Sequence, residues 1–207
     1  MIIAKIISLL SKAMMNQKLI PILDNGHGQE TPGKRSPLWK DGRQLFEWEF
    51  NRNLVNRITA KCSMAGIQVV KLVPETHDVS LEERCKRANM WYDRCNGNCI
   101  VVSIHANAGG GTGFEVYTSP GQTKADPIAT KLIEQLQRDF PKIKMRKDTV
   151  DGDPDKESQF YILKHTKAPA ILAENLFMDN EADCRLLMTE DFRDKLADSY
   201  VKFLKTL

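Results

Sequence analysis

The stretch Cys99-Ile100-Val101-Val102-Ser103-Ile104-His105-Ala106-Asn107 decides the fold. Its first six residues hold a single polar side chain, Ser103, and four β-branched ones. A short apolar run of this kind marks a strand buried on both faces, as in a parallel sheet covered by helices. Directly after the run stand a histidine and an asparagine. A strand from Cys99 to Ile104 therefore delivers His105 at its carboxyl end.

Working outward, the same pattern recurs. Leu19-Ile20-Pro21-Ile22-Leu23 reads as a buried strand stopped by Asp24-Asn25-Gly26, and Ile67 to Val70 as another that begins after Gly66. Phe114 to Tyr117 can form a strand after a glycine-rich turn, and Ala170 to Ala173 is a last short one. Helices fall between them. Phe46, Phe50, Leu54, Ile58 and Cys62 recur every four residues, predicting a helix from Phe46 to Met64. Ser80 with Glu83 is a capping box that opens a helix to Cys95. Asp126-Pro127 reads as a cap and a first-turn proline, opening a helix to about Phe140. Pro141 to Ser158 is polar and predicts a loop, and two helices close the chain. Strands alternating with helices predict an α/β three-layer sandwich, a twisted, largely parallel sheet flanked by helices.

Composition bounds the rest. The 207 residues, 42% of them hydrophobic, suffice for one ordinary core and exclude wholesale disorder. A net charge of +3 carries no field suited to nucleic acid. Five cysteines in a chain of this length do not form a disulfide scaffold, and idle or buried thiols are expected. Residues 1–18 carry Ile2, Ile3, Ile6, Ile7, Leu9, Leu10 and Met14 at helical spacing, interrupted by Lys5. The reading is an amphipathic helical appendage, residues 1–18, preceding a single domain at 19–207. It is too short and too charged for stable membrane insertion, and it lacks the basic start of an export signal.

Four histidines can be weighed one by one. His27, in Asn25-Gly26-His27-Gly28, and His105 both stand where strands end, and in open α/β sheets those ends line the ligand crevice. Glu47 and Glu49, at the start of the first long helix, are competing carboxylates beside the His27 loop. Helical geometry lets only one of them face the crevice. Glu174 ends the last apolar strand, where desolvation would raise its pKa and suit it to moving protons. Two histidines and a carboxylate bind zinc with a position left for water, while a second carboxylate shuttles protons.

These motifs resemble the zinc-dependent N-acetylmuramoyl-L-alanine amidases of the Amidase_3 type. Asp24-Asn25-Gly26-His27-Gly28 is similar to that family's D-x-G-H-G turn, with Gln29 in place of a further glycine. Glu47 and Asn51 match its helical glutamate and asparagine, which selects Glu47 over Glu49. Arg84 to Asn89 matches R-x-x-x-A-N, Ser103 to Asn107 matches S-I-H-A-N letter for letter, and Gly113 to Tyr117 matches G-x-E-V-Y. Glu174 to Asn180 matches E-x-G-F-x-x-N, with Leu176 where glycine is usual.

The resemblance covers about Leu19 to the C-terminus. It implies zinc on His27, Glu47 and His105, Glu174 as general acid/base, and cleavage of the amide between N-acetylmuramic acid and L-alanine in peptidoglycan. It also implies a lysin-like enzyme, expected to accumulate in the cytoplasm until released to the wall, with secretion or a periplasmic location as the alternative. Two other functions compete: a non-catalytic wall-binding module of the same fold, and a zinc peptidase cutting within the stem peptide.

The loop from Gln29 to Gly42 carries Arg35 and Trp39, expected to meet substrate, Trp39 by stacking on a sugar. Asn107 and His165 are the other substrate-side candidates, while His77 reads as a surface residue. Gly109 to Gly113 lacks the lysine and helix of a phosphate loop and reads as a tight turn. Asp151, Asp153 and Asp155 lack the glycine and closing glutamate of a calcium loop.

Overall fold

In the computed structural model, which describes residues 19–150 and 152–207, the central stretch is a nine-residue strand, β3 (Cys99–Asn107). The expected helix at residues 1–18 lies outside the described residues. A strand whose first six residues are apolar but for Ser103 has no face to give to water, so β3 sits inside the sheet. It pairs in parallel with β1 (Ile20–Asn25) on one side and with β6 (Ala170–Phe177) on the other. β2 (Val70–Lys71) adds in parallel outside β1, β4 (Phe114–Thr118) runs antiparallel to β6, and β5 (Lys156–Glu157) lies parallel beside β4. The strand order is β2-β1-β3-β6-β4-β5, largely parallel as expected.

Among the described residues six helices cover the sheet: α1 (Glu47–Met64), α2 (Leu81–Arg94), α3 (Asp126–Asp139), α4 (Tyr161–His165), α5 (Glu181–Leu187) and α6 (Glu190–Leu204). Side chains alternate across each strand. Leu23, Val102, Ile104, Ile171 and Ala173 therefore pack against Phe50 and Leu54 of α1, Leu132 of α3 and Tyr200 of α6. On the other face Ile22, Val101 and Leu172 pack against Cys85 and Ala88 of α2 and Ile162 and Leu163 of α4. Helix, sheet and helix make the three layers. None of the described helices is long and apolar enough to cross a membrane, and all five cysteines are free.

Several expected boundaries move for identifiable reasons. Phe46 does not share the apolar face of α1; it is the N-cap residue and 41% exposed. β2 begins at Val70 rather than Ile67, because Gly66 in the left-handed region (φ 68) lets the Ile67 N–H close the end of α1 on the Cys62 carbonyl. Ala125, not Asp126, caps α3. The Asp126 carboxylate instead accepts from the backbone N–H and hydroxyl of Thr123. The last strand does not stop at Ala173, and Glu174 therefore lies within the sheet.

Candidate metal centre and catalytic acid

Alternation puts Asp24 of β1, Ser103 and His105 of β3, and Leu172 and Glu174 of β6 on the face covered by α2 and α4. With His27 and Lys34 they line a cavity of about 410 Å³ at the carboxyl ends of those strands. A larger cavity, about 780 Å³, lies at the opposite ends around Leu19, Cys99 and Ala170, away from His27, His105 and Glu174.

His27 reaches the cavity through a strained turn. Its φ is 61, a left-handed conformation that a side chain other than glycine adopts at a cost of about 1–2 kcal/mol. Two guanidinium groups hold it there. The His27 carbonyl accepts from Arg84 Nη2 at 3.0 Å and from Arg52 Nη1 at 2.8 Å. Arg84, 2% exposed, also donates to Asp24 Oδ1 at 2.6 Å and to the Asn25 carbonyl at 2.7 Å, while Ser103 donates to Asp24 Oδ2 at 2.6 Å. One buried ion pair thus braces the whole His27 turn. Arg84→Met should cost about 3–5 kcal/mol, because it strands the Asp24 carboxylate without a counter-charge. A denaturant melt checks this.

The glycines beside His27 answer to space. A Cβ on Gly28 would lie 2.1 Å from Asp78 Cα, and one on Gly26 would lie 2.0 Å from His105 Cε1. Gly26→Ala should therefore push the His105 imidazole aside and abolish metal uptake, read by metal content after dialysis.

Glu47 is the first residue of α1, 2% exposed, and supplies the third donor. Its Oε1 lies 3.0 Å from His105 Nδ1 and 3.3 Å from His27 Nε2. The Ala106 N–H also donates to Oε1 at 3.3 Å. Burial opposes the Glu47 charge, but the bonds from His105 and His27 prevail and hold its carboxyl well below the usual range. It is therefore ionised, the form that binds a cation. Burial likewise opposes charge on His105, and Glu47 outweighs it, raising the imidazole. The donor atoms of His27, Glu47 and His105 all lie within 4.8 Å of one another, and no other such group of three converges among the described residues. Two imidazoles and one carboxylate are a donor set that suits zinc. Glu49 points elsewhere, to Arg193 Nη1 at 3.1 Å.

Glu174 stands opposite His105 in the β3–β6 register. Its Oε2 is buried with no hydrogen-bond partner among the described residues. Burial first, then the Glu47 charge, push its pKa up to about 7 against the pull of His105 and Lys34. In metal-free protein this folded value stands above the ordinary 4.5. Stability from Glu174 is thus present below pH 4.5 and lost as pH rises through about 7. Relative to Glu174→Gln, wild type should lose about 3 kcal/mol across that window in denaturant melts.

The other expected residues fall differently. Asn107 ends β3 and donates to Glu115 Oε2, and it is not among the residues lining the cavity. Arg35 is exposed and bridges to Phe46 through backbone. Trp39 is partly buried against the core, with its indole N–H donating to Cys184 Sγ at 3.3 Å, and it is not among the residues lining the cavity. His165 ends α4, stacked on Tyr161 at 3.8 Å, and does not line the cavity. His77 offers Arg52 its carbonyl. Leu176 adopts φ 65, the region its glycine counterpart favours, and its fully buried side chain offsets the strain. Arg52 carried no sequence signal, whereas Lys34 comes from the Gln29–Gly42 loop that was expected to meet substrate, and it does line the cavity.

Comparison with known proteins follows the same lines. The chain matches the family described as N-acetylmuramoyl-L-alanine amidase over residues 22–206. It is 30% identical to the uncharacterized protein YqiI of Bacillus subtilis (strain 168), over 86% of this chain and 80% of that one. To the sporulation-specific N-acetylmuramoyl-L-alanine amidase of the same strain it is 29% identical, over 88% of this chain and 66% of that one. Its fold is similar to a crystal structure of N-acetylmuramoyl-L-alanine amidase from Clostridium difficile 630, with a TM-score of 0.76, 23% identity, and 92% and 97% of the two chains covered. With the match running through nearly all of the described chain and every motif of the cavity inside it, the chain belongs to the N-acetylmuramoyl-L-alanine amidase family.

Proposed function

We infer that the chain hydrolyses the amide between the lactyl group of N-acetylmuramic acid and L-alanine in peptidoglycan, as a zinc enzyme with Glu174 as general acid/base. The observation that carries this is the convergence of His27, Glu47 and His105 beside a buried carboxyl with no partner of its own. A wall-binding module has no need of that arrangement.

His27, Glu47 and His105 would hold the metal, which when bound supplies Lewis acidity to the scissile carbonyl and to water. Glu174 Oε2 takes a proton from the attacking water and returns it to the alanine nitrogen as the C–N bond breaks. A pKa near 7 fits a group that must both accept and donate. Arg84 and Arg52 keep the His27 ring in register by gripping its carbonyl, and Asn51 Nδ2, bonded to the Gly26 carbonyl at 3.1 Å, ties that turn to α1. The products are a muramyl carboxylic acid and a peptide with a free amino terminus.

Purified sacculi should clear on incubation with the protein, stop clearing when a chelator is added, and resume with zinc. Clearing at full rate in chelator, with the metal shown to be gone, contradicts the reading.

A further inference from the structure

Glu115 is a second buried carboxylate on the face that carries Glu174. The two residues are directly paired in the antiparallel register of β4 and β6, which sets their side chains next to each other. Glu115 is 3% exposed and fully engaged. Its Oε1 accepts from Arg146 Nε and Lys156 Nζ, both at 2.7 Å. Its Oε2 accepts from Asn107 Nδ2 at 2.5 Å and from the Tyr117 hydroxyl at 2.8 Å. Burial opposes its charge, yet the lysine, arginine and tyrosine bonds hold its carboxyl below the usual range.

Two cations thus share one anion, and one positive charge is left over. Arg146 commits one of its five side-chain N–H groups to Glu115, and Lys156 one of its three. Among the described residues, the other N–H groups of these side chains make no further hydrogen bond. Both side chains remain open, 34% and 28% exposed. Both are also pinned, Arg146 over the Phe177 ring at 5.5 Å and Lys156 over the Tyr117 ring at 5.3 Å. Surplus positive charge with free donors, held still by a buried anchor, is preorganised for a carboxylate.

Position says which carboxylate. Across the sheet the order is β1, β3, β6, β4, β5, so the side chains run from His27 through His105, Glu174 and Glu115 to Lys156. Neighbouring strands are about 4.8 Å apart, which places the cations roughly 5–10 Å beyond Glu174, on the side away from the metal ligands. Glu174 protonates the leaving nitrogen, so the peptide half departs from there. Two residues of extended chain span about 7 Å.

We propose that Arg146 and Lys156 form an anion subsite for a free carboxylate on the residue that follows the alanine of the leaving peptide. The chain then distinguishes stems bearing that carboxylate from stems in which it is amidated. This rests on the amidase reading.

The test titrates two dipeptides whose γ-carboxyl is blocked as a methylamide, L-alanyl-D-glutamate with its α-carboxylate free and the matching α-amide, against the zinc-loaded protein by NMR, with sacculus hydrolysis run alongside. The acid should bind about tenfold more tightly than the amide, and the ratio should shrink as salt rises. Arg146→Gln and Lys156→Gln should bring the ratio to about one. Arg146→Lys, which keeps charge beside Glu115 but loses the guanidinium fork, should leave it intermediate. Equal affinities in wild type, no binding of either dipeptide, or an acid preference that survives both glutamine substitutions would overturn the subsite. Should a variant fail to fold, the wild-type ratio and its salt dependence decide. Sacculi left intact would overturn the amidase reading instead.

Discussion

Glu174→Gln is expected to lower wall hydrolysis by about 10²–10⁴-fold while zinc content stays at the wild-type level, the range typical of removing a general acid/base. Glutamine keeps the size of the side chain, so the cavity and the β3–β6 register persist. It cannot take up a proton at Oε2, the atom that has no protein partner. Glu174 also stands outside the three converging donors, so metal uptake is spared. Metal analysis and hydrolysis rates on one preparation check both halves. Turnover near wild type would remove Glu174 from the chemistry.

His105→Ala should do the reverse, emptying the metal site and with it the activity. The substitution deletes one donor of three and leaves Glu47, 2% exposed, without its 3.0 Å partner. Loss of a supporting partner around a ligand already costs about 10–100-fold in metal affinity, so loss of a ligand should exceed about 100-fold. Glu49→Gln is the matched control. That carboxylate, 47% exposed, is two residues from Glu47 but meets the buried Arg193 instead of the metal donors, and Arg193 keeps its bond to the Leu187 carbonyl at 2.6 Å when the carboxylate is removed. Zinc competition with a chromophoric chelator distinguishes the two variants.

The parts that could be read from the chain are those where one strong local signal acts. The apolar runs at Leu19–Leu23, Cys99–Ile104 and Ala170–Ala173 had nowhere to go but the middle of a sheet, and the histidines that end the first two had to arrive at its carboxyl edge. Choosing Glu47 over Glu49 needed the family resemblance, since both begin the same helix. What stayed hidden depends on partners far away in the chain. Arg52 looks like a solvated position on an amphipathic helix, and Arg84, marked only by the R-x-x-x-A-N match, shows its role once the turn at His27 brings a carbonyl to each. The bond that ties the Trp39 indole nitrogen to Cys184 joins residues far apart in the chain, and no local pattern announces it. The segment from Pro141 to Ser158 is polar and mostly irregular, as expected. Yet Arg146 and Lys156 come from it, placed by backbone pairing with β4 that no periodicity announces.

The bond that is broken is the central claim, and mass spectrometry of purified walls after digestion tests it most directly. The account predicts intact stem peptides with free N-terminal alanine, released from glycan strands that stay uncut, and none of these products in the presence of a chelator. Peptides cut internally with their alanine still on muramic acid, or cleaved glycan strands, would contradict it.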